Sequence, residues 1–127
     1  MSYIKHKSKE SVEDYLETIL MLEKRLPYVR SIDIAHELDY SKPSVSVAMR
    51  NLREQGYVDM DDYGHIHLTD IGRSWAKSVL ERHELLTEWL IKLGVEKTMA
   101  EEDACRLEHD MSDETFAALK KHILETL

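Results

Sequence analysis

Between residues 31 and 68 the apolar residues change their period twice, and that change restricts the fold more than anything else in the chain. Ser31–Leu38 (SIDIAHEL) places Ile32, Ile34, Ala35 and Leu38 at the spacing of a short amphipathic helix. Residues 39–42 interrupt the pattern ahead of Pro43. Ser41 is suited to cap a new helix, and Pro43 fits a first turn, where the N–H it lacks would have no partner anyway. That helix is predicted to run to about Gln55 with Val45, Ala48, Met49 and Leu52 facing inward, and Gly56 stops it. The period then becomes alternating. Tyr57-Val58-Asp59-Met60 and His65-Ile66-His67-Leu68 flank residues 61–64, which reads as a two-stranded hairpin.

A further helix is predicted upstream, over residues 9–25. Val12, Tyr15, Leu16, Ile19, Leu22 and Leu26 form its buried stripe, Ser11 with Asp14 resembles a capping pair, and Pro27 ends it. Helix, short helix, tight turn, helix, hairpin is the order of a winged helix-turn-helix. Downstream, Thr69 caps a long helix over 70–93 that carries Ile71, Trp75, Val79, Leu86, Trp89 and Leu90, and Gly94 closes it. Two more helices are predicted over 97–109 and 112–127, the last with Ser112 and Glu114 at its start. The fold class is therefore mainly α. Residues 1–70 form an N-terminal winged helix-turn-helix and residues 71–127 a C-terminal helical dimerisation domain. Dimerisation is expected because Trp89, Leu93, Leu107, Phe116, Leu119 and Ile123 make more apolar stripe than one small lobe covers.

Composition agrees with this outline. The 127 residues suffice for one compact unit or two small lobes, and four Gly and two Pro favour helices over an all-β fold. No apolar run approaches the ~20 residues that span a bilayer, and the N-terminal MSYIKHKSKE has no signal-peptide apolar region. A single cysteine forms no internal disulfide. A reduced, cytoplasmic protein without a membrane partner is expected.

The formal charge of −8, from 25 acidic and 17 basic residues, argues against nonspecific attraction to phosphate. Residues 41–53 nonetheless offer a basic face. They carry Lys42, Arg50 and Arg53 and no acid, a local charge of +3. Ser41, Lys42, Pro43, Ser44, Ser46 and Arg50 are the candidate DNA contacts: short donors that let the helix approach, and cations for phosphate or base edges. The alternative is that these are ordinary solvated side chains of a small three-helix domain.

A second constellation concerns cations. In Cys105-Arg106-Leu107-Glu108-His109, Cys105, Glu108 and His109 fall at i, i+3 and i+4, on one side of a helix. Thiolate, carboxylate and imidazole are ligand types for a first-row transition metal. Asp14 and Glu17 form an i, i+3 pair on the first helix, and His83 lies midway along the long one. Each alone has a plainer reading: a solvated Glu-His face, a small buried cysteine, or an aspartate favouring a helix N-terminus.

Taken together, three separated stretches resemble the diphtheria-toxin-repressor family of iron- and manganese-dependent regulators. They are Val12-Glu13-Asp14-Tyr15-Leu16-Glu17, Arg82-His83-Glu84-Leu85-Leu86, and residues 104–112 (ACRLEHDMS), and the likeness runs from about Ser11 to Leu127. The resemblance implies a metal site of Asp14, Glu17, His83, Glu108 and His109, as in the manganese-sensing branch. Cys105 takes the sixth place, as in the iron-sensing branch. That branch usually has Met where Asp14 stands, so the site is a hybrid. An ancillary site is implied in altered form, with His83 and Glu101 as candidates, because Thr87 replaces a carboxylate and Glu101 stands where a His is usual. The length resembles the short two-domain manganese type, without the SH3-like domain of longer iron-branch members. Val47 replaces a Gln of the iron branch's reading helix, so base preference does not transfer.

The expected function is a repressor that binds an inverted-repeat operator in double-stranded DNA as a homodimer when a divalent cation is bound. Manganese or ferrous iron would be that cation, with zinc, cobalt or nickel as surrogates. Rival readings are a mononuclear hydrolase, for which the sequence offers no separate general base, nucleophile elbow or phosphate loop, and a metal-independent winged-helix regulator sensing a small ligand or redox state.

Overall fold

The computed structural model describes the backbone of residues 2–126 and the side chains of residues 11–126. Among the described residues, six helices and one hairpin follow in the order α1 (Ser2–Glu23), α2 (Ser31–Leu38), α3 (Lys42–Glu54), β1 (Val58–Met60), β2 (Ile66–Leu68), α4 (Asp70–Lys92), α5 (Lys97–Asp110) and α6 (Asp113–Thr126). The chain divides into two compact units, Ser11–Lys77 and Ser78–Leu127 with Met1–Glu10. The mainly α class and the winged-helix order are as expected from the sequence. Leu127, expected at the end of α6, lies outside the described residues.

In the Ser11–Lys77 unit, Leu16, Ile19, Ile34, Val45, Met49, Leu52, Val58 and Ile66 are buried, each contributing roughly 2 kcal/mol of apolar burial. Two expectations are corrected here. α1 starts at Ser2, so Ser11 and Asp14 sit in a helix interior and are not a capping pair. Residues 5–10 contain neither Gly nor Pro, and nothing in them stops the helix from extending. Ile32, expected on the apolar stripe of α2, is 41% exposed. Two residues before Ile34 on a helix of 3.6 residues per turn, it points to the opposite side.

The turn between α2 and α3 is built by local bonds. Asp39 closes α2 in the left-handed region at φ 56°, and Tyr40 N–H reaches back to the Ala35 carbonyl at 3.0 Å. Ser41 then caps α3, its hydroxyl accepting the Ser44 N–H at 3.3 Å, with Pro43 in the first turn. β1 and β2 pair antiparallel with Val58 opposite Leu68 and Met60 opposite Ile66. The hairpin is pinned to the segment before α2 by Ile66 N–H donating to the Val29 carbonyl at 2.7 Å.

Asp61 organises the wing tip. Its Oδ1 accepts the backbone N–H of Tyr63 at 2.9 Å and of His65 at 3.0 Å. Its Oδ2 lies 3.2 Å from His65 Nδ1 and 3.3 Å from His67 Nε2. The His65 ring stacks on Tyr28 at 4.2 Å, and Arg30 Nη2 is 3.4 Å from its Nε2. Desolvation pushes the Asp61 carboxyl up, but the His65 N–H, the His67 ring and the Tyr63 N–H outweigh it and hold it below the ordinary value. A depressed carboxyl stabilises the fold above its unfolded pKa, and that contribution is lost as pH falls through the folded value. The amide resonances of Tyr63 and His65 are therefore expected to show an acid transition below the ordinary aspartate value. Asp61→Asn should lack that acid transition; the same transition in the variant would show that Asp61 does not organise the tip.

Thr69 opens α4, accepting the Gly72 N–H at 3.1 Å and donating to the Gly56 carbonyl at 2.7 Å. Gly72 passes so close to the strand entry that a Cβ on it would lie 2.0 Å from the Tyr57 carbonyl oxygen. Arg73 forks onto Glu23 at 2.8 and 2.9 Å, and Trp75 Nε1 donates to Glu13 at 2.7 Å, tying α4 to α1 within this unit. Ile71, expected on the buried stripe, is instead 67% exposed. It lies a single residue from Gly72, whose backbone faces Tyr57, and so points elsewhere.

In the second unit Val79, Leu86, Ala100, Ala104, Phe116 and Ile123 are buried. Phe116 and Ile123 were expected on a dimer face; they belong to this unit's own core, because a three-helix layer needs its aromatic and β-branched residues inside. Leu93 and Leu107 remain exposed, as do Ile91, Met99 and Leu124, while Trp89 and Leu119 are half-buried.

Candidate functional site

α4 and α5 bring four of the sequence-predicted ligands, His83, Cys105, Glu108 and His109, together within the Ser78–Leu127 unit. Glu108 is 1% exposed. Its Oε2 lies 2.9 Å from His83 Nδ1, and its Oε1 lies 3.3 Å from His109 Nε2. That Oε1 is buried and receives no hydrogen bond of acceptable geometry. Cys105, one turn earlier on α5, is exposed, and its Sγ lies within 4.8 Å of a His109 ring nitrogen. Its exposure excludes the reading of Cys105 as a small buried hydrophobe. His109 is the reverse: the plainer reading of a solvated Glu-His face would leave it open to water, but it is 5% exposed, because α5 turns residues 104, 108 and 109 to the same inner side.

A buried carboxylate between two imidazoles costs desolvation that its neighbours only partly offset. A divalent cation is the partner these groups suit: borderline imidazoles, one hard carboxylate and one soft thiol. The residues present thus fit a transition metal. Glu101 lines an open groove of about 330 Å³ with His83, Glu84, Thr87, Glu88, Ile91 and Lys92. Asp14 and Glu17 lie half-buried on α1 in the other unit. Tyr15, between them in sequence, packs edge-on to Tyr40 at 5.9 Å; burial, then Tyr40 and Asp14, raises its pKa.

Arg82, which the sequence marks only as part of a motif, is buried. Its side chain is 8% exposed. No sequence signal separates a buried arginine from a solvated one on an amphipathic helix.

On α3, Ser41, Lys42, Pro43, Ser44, Ser46, Val47, Arg50 and Arg53 are all exposed, opposite the buried Val45, Met49 and Leu52. The Ser41 hydroxyl is already engaged, capping the helix and donating to Ser44 Oγ at 2.8 Å. One face of α3 is therefore core and the other presents three cations. The adjoining wing carries Asp59, Asp61 and Asp62, also exposed.

These arrangements define a class, the winged-helix transcription regulators with a separate helical half. The particular family follows from comparison with known proteins. The iron dependent repressor N-terminal DNA binding domain matches residues 7–66, and the iron dependent repressor metal binding and dimerisation domain matches residues 69–125. The chain belongs to this family, whose members are metal-dependent transcriptional repressors and not enzymes. It is 34% identical over 113 residues to an HTH-type transcriptional regulator of Methanocaldococcus jannaschii, covering 87% of this chain and 90% of the relative. It is 32% identical over 112 residues to the transcriptional regulator MntR of Escherichia coli O157:H7, covering 88% and 72%. Among solved structures, a manganese-dependent transcriptional repressor in complex with manganese superposes with a TM-score of 0.80 at 32% identity. That match covers 88% of this chain and 52% of the other, so the chain spans about half the length of the solved structure. No helix among the described residues is long and apolar enough to cross a membrane.

Proposed function

We propose that this chain is a metal-activated repressor that acts in the cytoplasm as a homodimer on an inverted-repeat operator. Residues 1–70 would read DNA and residues 71–127 would bind metal and dimerise. The metal site comprises Asp14, Glu17, His83, Cys105, Glu108 and His109, with Glu101 and His83 as candidates for a second ion. The observation that supports this reading best is Glu108, a fully buried carboxylate between His83 and His109. A bound dication supplies two positive charges and a fixed coordination geometry. Glu108 and His109 would hold it from one helical turn of α5 and His83 from α4, and the family resemblance adds Asp14 and Glu17 of α1 as ligands. A cation held more tightly by one conformation of the protein than by another would bias the reading helices by that difference in affinity. Cys105 favours iron, zinc or cobalt and the carboxylates favour manganese, which makes manganese and ferrous iron the cations to compare.

The test is an anaerobic titration with each ion, read by fluorescence anisotropy on operator DNA. Metal should raise operator affinity, and chelator should reverse it. Lys42→Ala or Arg50→Ala should weaken operator binding by roughly 1–3 kcal/mol if the contact is to a base edge, with a shallower salt slope if it is to phosphate. Unchanged affinity and slope in both variants would take α3 out of the interface. Operator binding that persists in excess chelator would favour the metal-independent regulator.

A further inference from the structure

A buried guanidinium is costly unless every donor finds a partner, so where Arg82 spends its donors shows what it does. Nη1 donates to the Glu108 carbonyl at 3.1 Å and to the Met111 carbonyl at 2.7 Å. Nη2 donates to the Asp113 carboxylate at the start of α6. The guanidinium carbon stands 5.0 Å above the Phe116 ring. The last carbonyls of a helix have no partner inside it, and Glu108 lies in the final turn of α5. Arg82 thus caps α5 from α4, just where the chain turns through the extended Met111 into α6.

The adjacent residue completes the arrangement. His83 holds the Glu108 side chain while Arg82 holds the Glu108 main chain. Two consecutive residues of α4 therefore fix one residue of α5, and His109 follows it directly. We infer that Arg82 is a positioning residue for the metal centre. It does not touch the ion. It sets where the Glu108–His109 pair stands, and through Asp113 and Phe116 it joins that pair to α6. The inference rests on the metal-site reading above.

Cobalt(II) alone is the probe, titrated anaerobically into the full chain and read by its d–d absorption. Losing an outer-shell partner typically weakens metal binding ~10–100-fold. Arg82→Met should fall in that range and change the band pattern, with helix content retained by circular dichroism. Arg82→Lys keeps a charge but not the planar fork, and should recover part of the affinity and much of the spectrum. Lys120→Met is the control. It breaks another α4–α6 ion pair, Lys120 to Glu81 at 2.9 Å, without touching Glu108, and should change neither readout. Wild-type affinity and spectrum in a folded Arg82→Met protein would overturn the inference. Should that variant not fold, the same result in Arg82→Lys would overturn it. If the wild-type chain binds no cobalt, the metal-site reading itself fails, a result distinct from any effect of Arg82.

Discussion

Gly72→Ala is expected to destabilise the winged unit by on the order of 3 kcal/mol or more, a large share of the stability of a small domain. The added Cβ would stand 2.0 Å from the Tyr57 carbonyl oxygen and 2.9 Å from its carbonyl carbon. Both are backbone atoms, so no rotamer change relieves the overlap. α4 would have to back away from the strand entry, breaking the bonds from Thr69 to Gly56 and to Tyr57. Thermal unfolding measures the effect, with Ser74→Ala, an exposed site on the same helix, as the reference. Equal melting temperatures for Gly72→Ala and the wild type would mean that the close approach is not a feature of the folded chain. Operator binding should fall with stability, because Tyr57 leads directly into the wing.

Glu108→Gln should produce opposite changes in two measurements. Gln keeps the volume but removes the charge. Metal affinity is expected to drop by more than the ~100-fold that marks the upper end for loss of an outer-shell partner, and metal-activated operator binding should vanish. The metal-free protein, by contrast, should be as stable as the wild type or more so, since Gln keeps the shape and neutralises a buried carboxylate whose Oε1, 3.3 Å from His109 Nε2, accepts no well-formed hydrogen bond. A core residue would behave otherwise, losing stability in both states. Isothermal titration and unfolding of the metal-free form supply the two readouts. Unaltered affinity in Glu108→Gln would remove Glu108 from the ligand set. His109→Ala is the weaker experiment, because His109 is buried and its removal also leaves a void.

The parts of this molecule that the sequence disclosed are those governed by local chemistry. Ser41 and Pro43 marked the start of α3, Gly56 its end, and the change from helical to alternating period marked the wing, because capping and pleating are decided within a few residues. What it did not disclose depends on tertiary neighbours. The polar stretch before Ser11 has no apolar stripe, so the true start of α1 left no trace in the pattern. Ile71 and Ile32 were assigned inward by type although their rotation about the helix points them out. Phe116 and Ile123 have the periodicity of an interface and of a core alike, and only packing distinguishes the two. The ligand chemistry of Glu108 and His109 was legible from their spacing. Their burial was not, nor was Arg82, because a helical stripe does not reveal which of its charged residues another helix will cover.

Lys42, Arg50 and Arg53 form a cationic strip on α3, with the exposed acids of the wing following in sequence and a net charge of −8 over the chain. For the proposed regulator this arrangement concerns search and turnover more than grip. A protein that is cationic all over lingers on any duplex it meets, since each neutralised phosphate releases counterions. Here the acidic surplus of the chain would set many other landings against phosphate and shorten them. Dwell times on unrelated DNA would be brief, leaving the pool of free repressor high. Once the effector ion is withdrawn, no reservoir of loosely held protein would remain near the promoter to delay transcription.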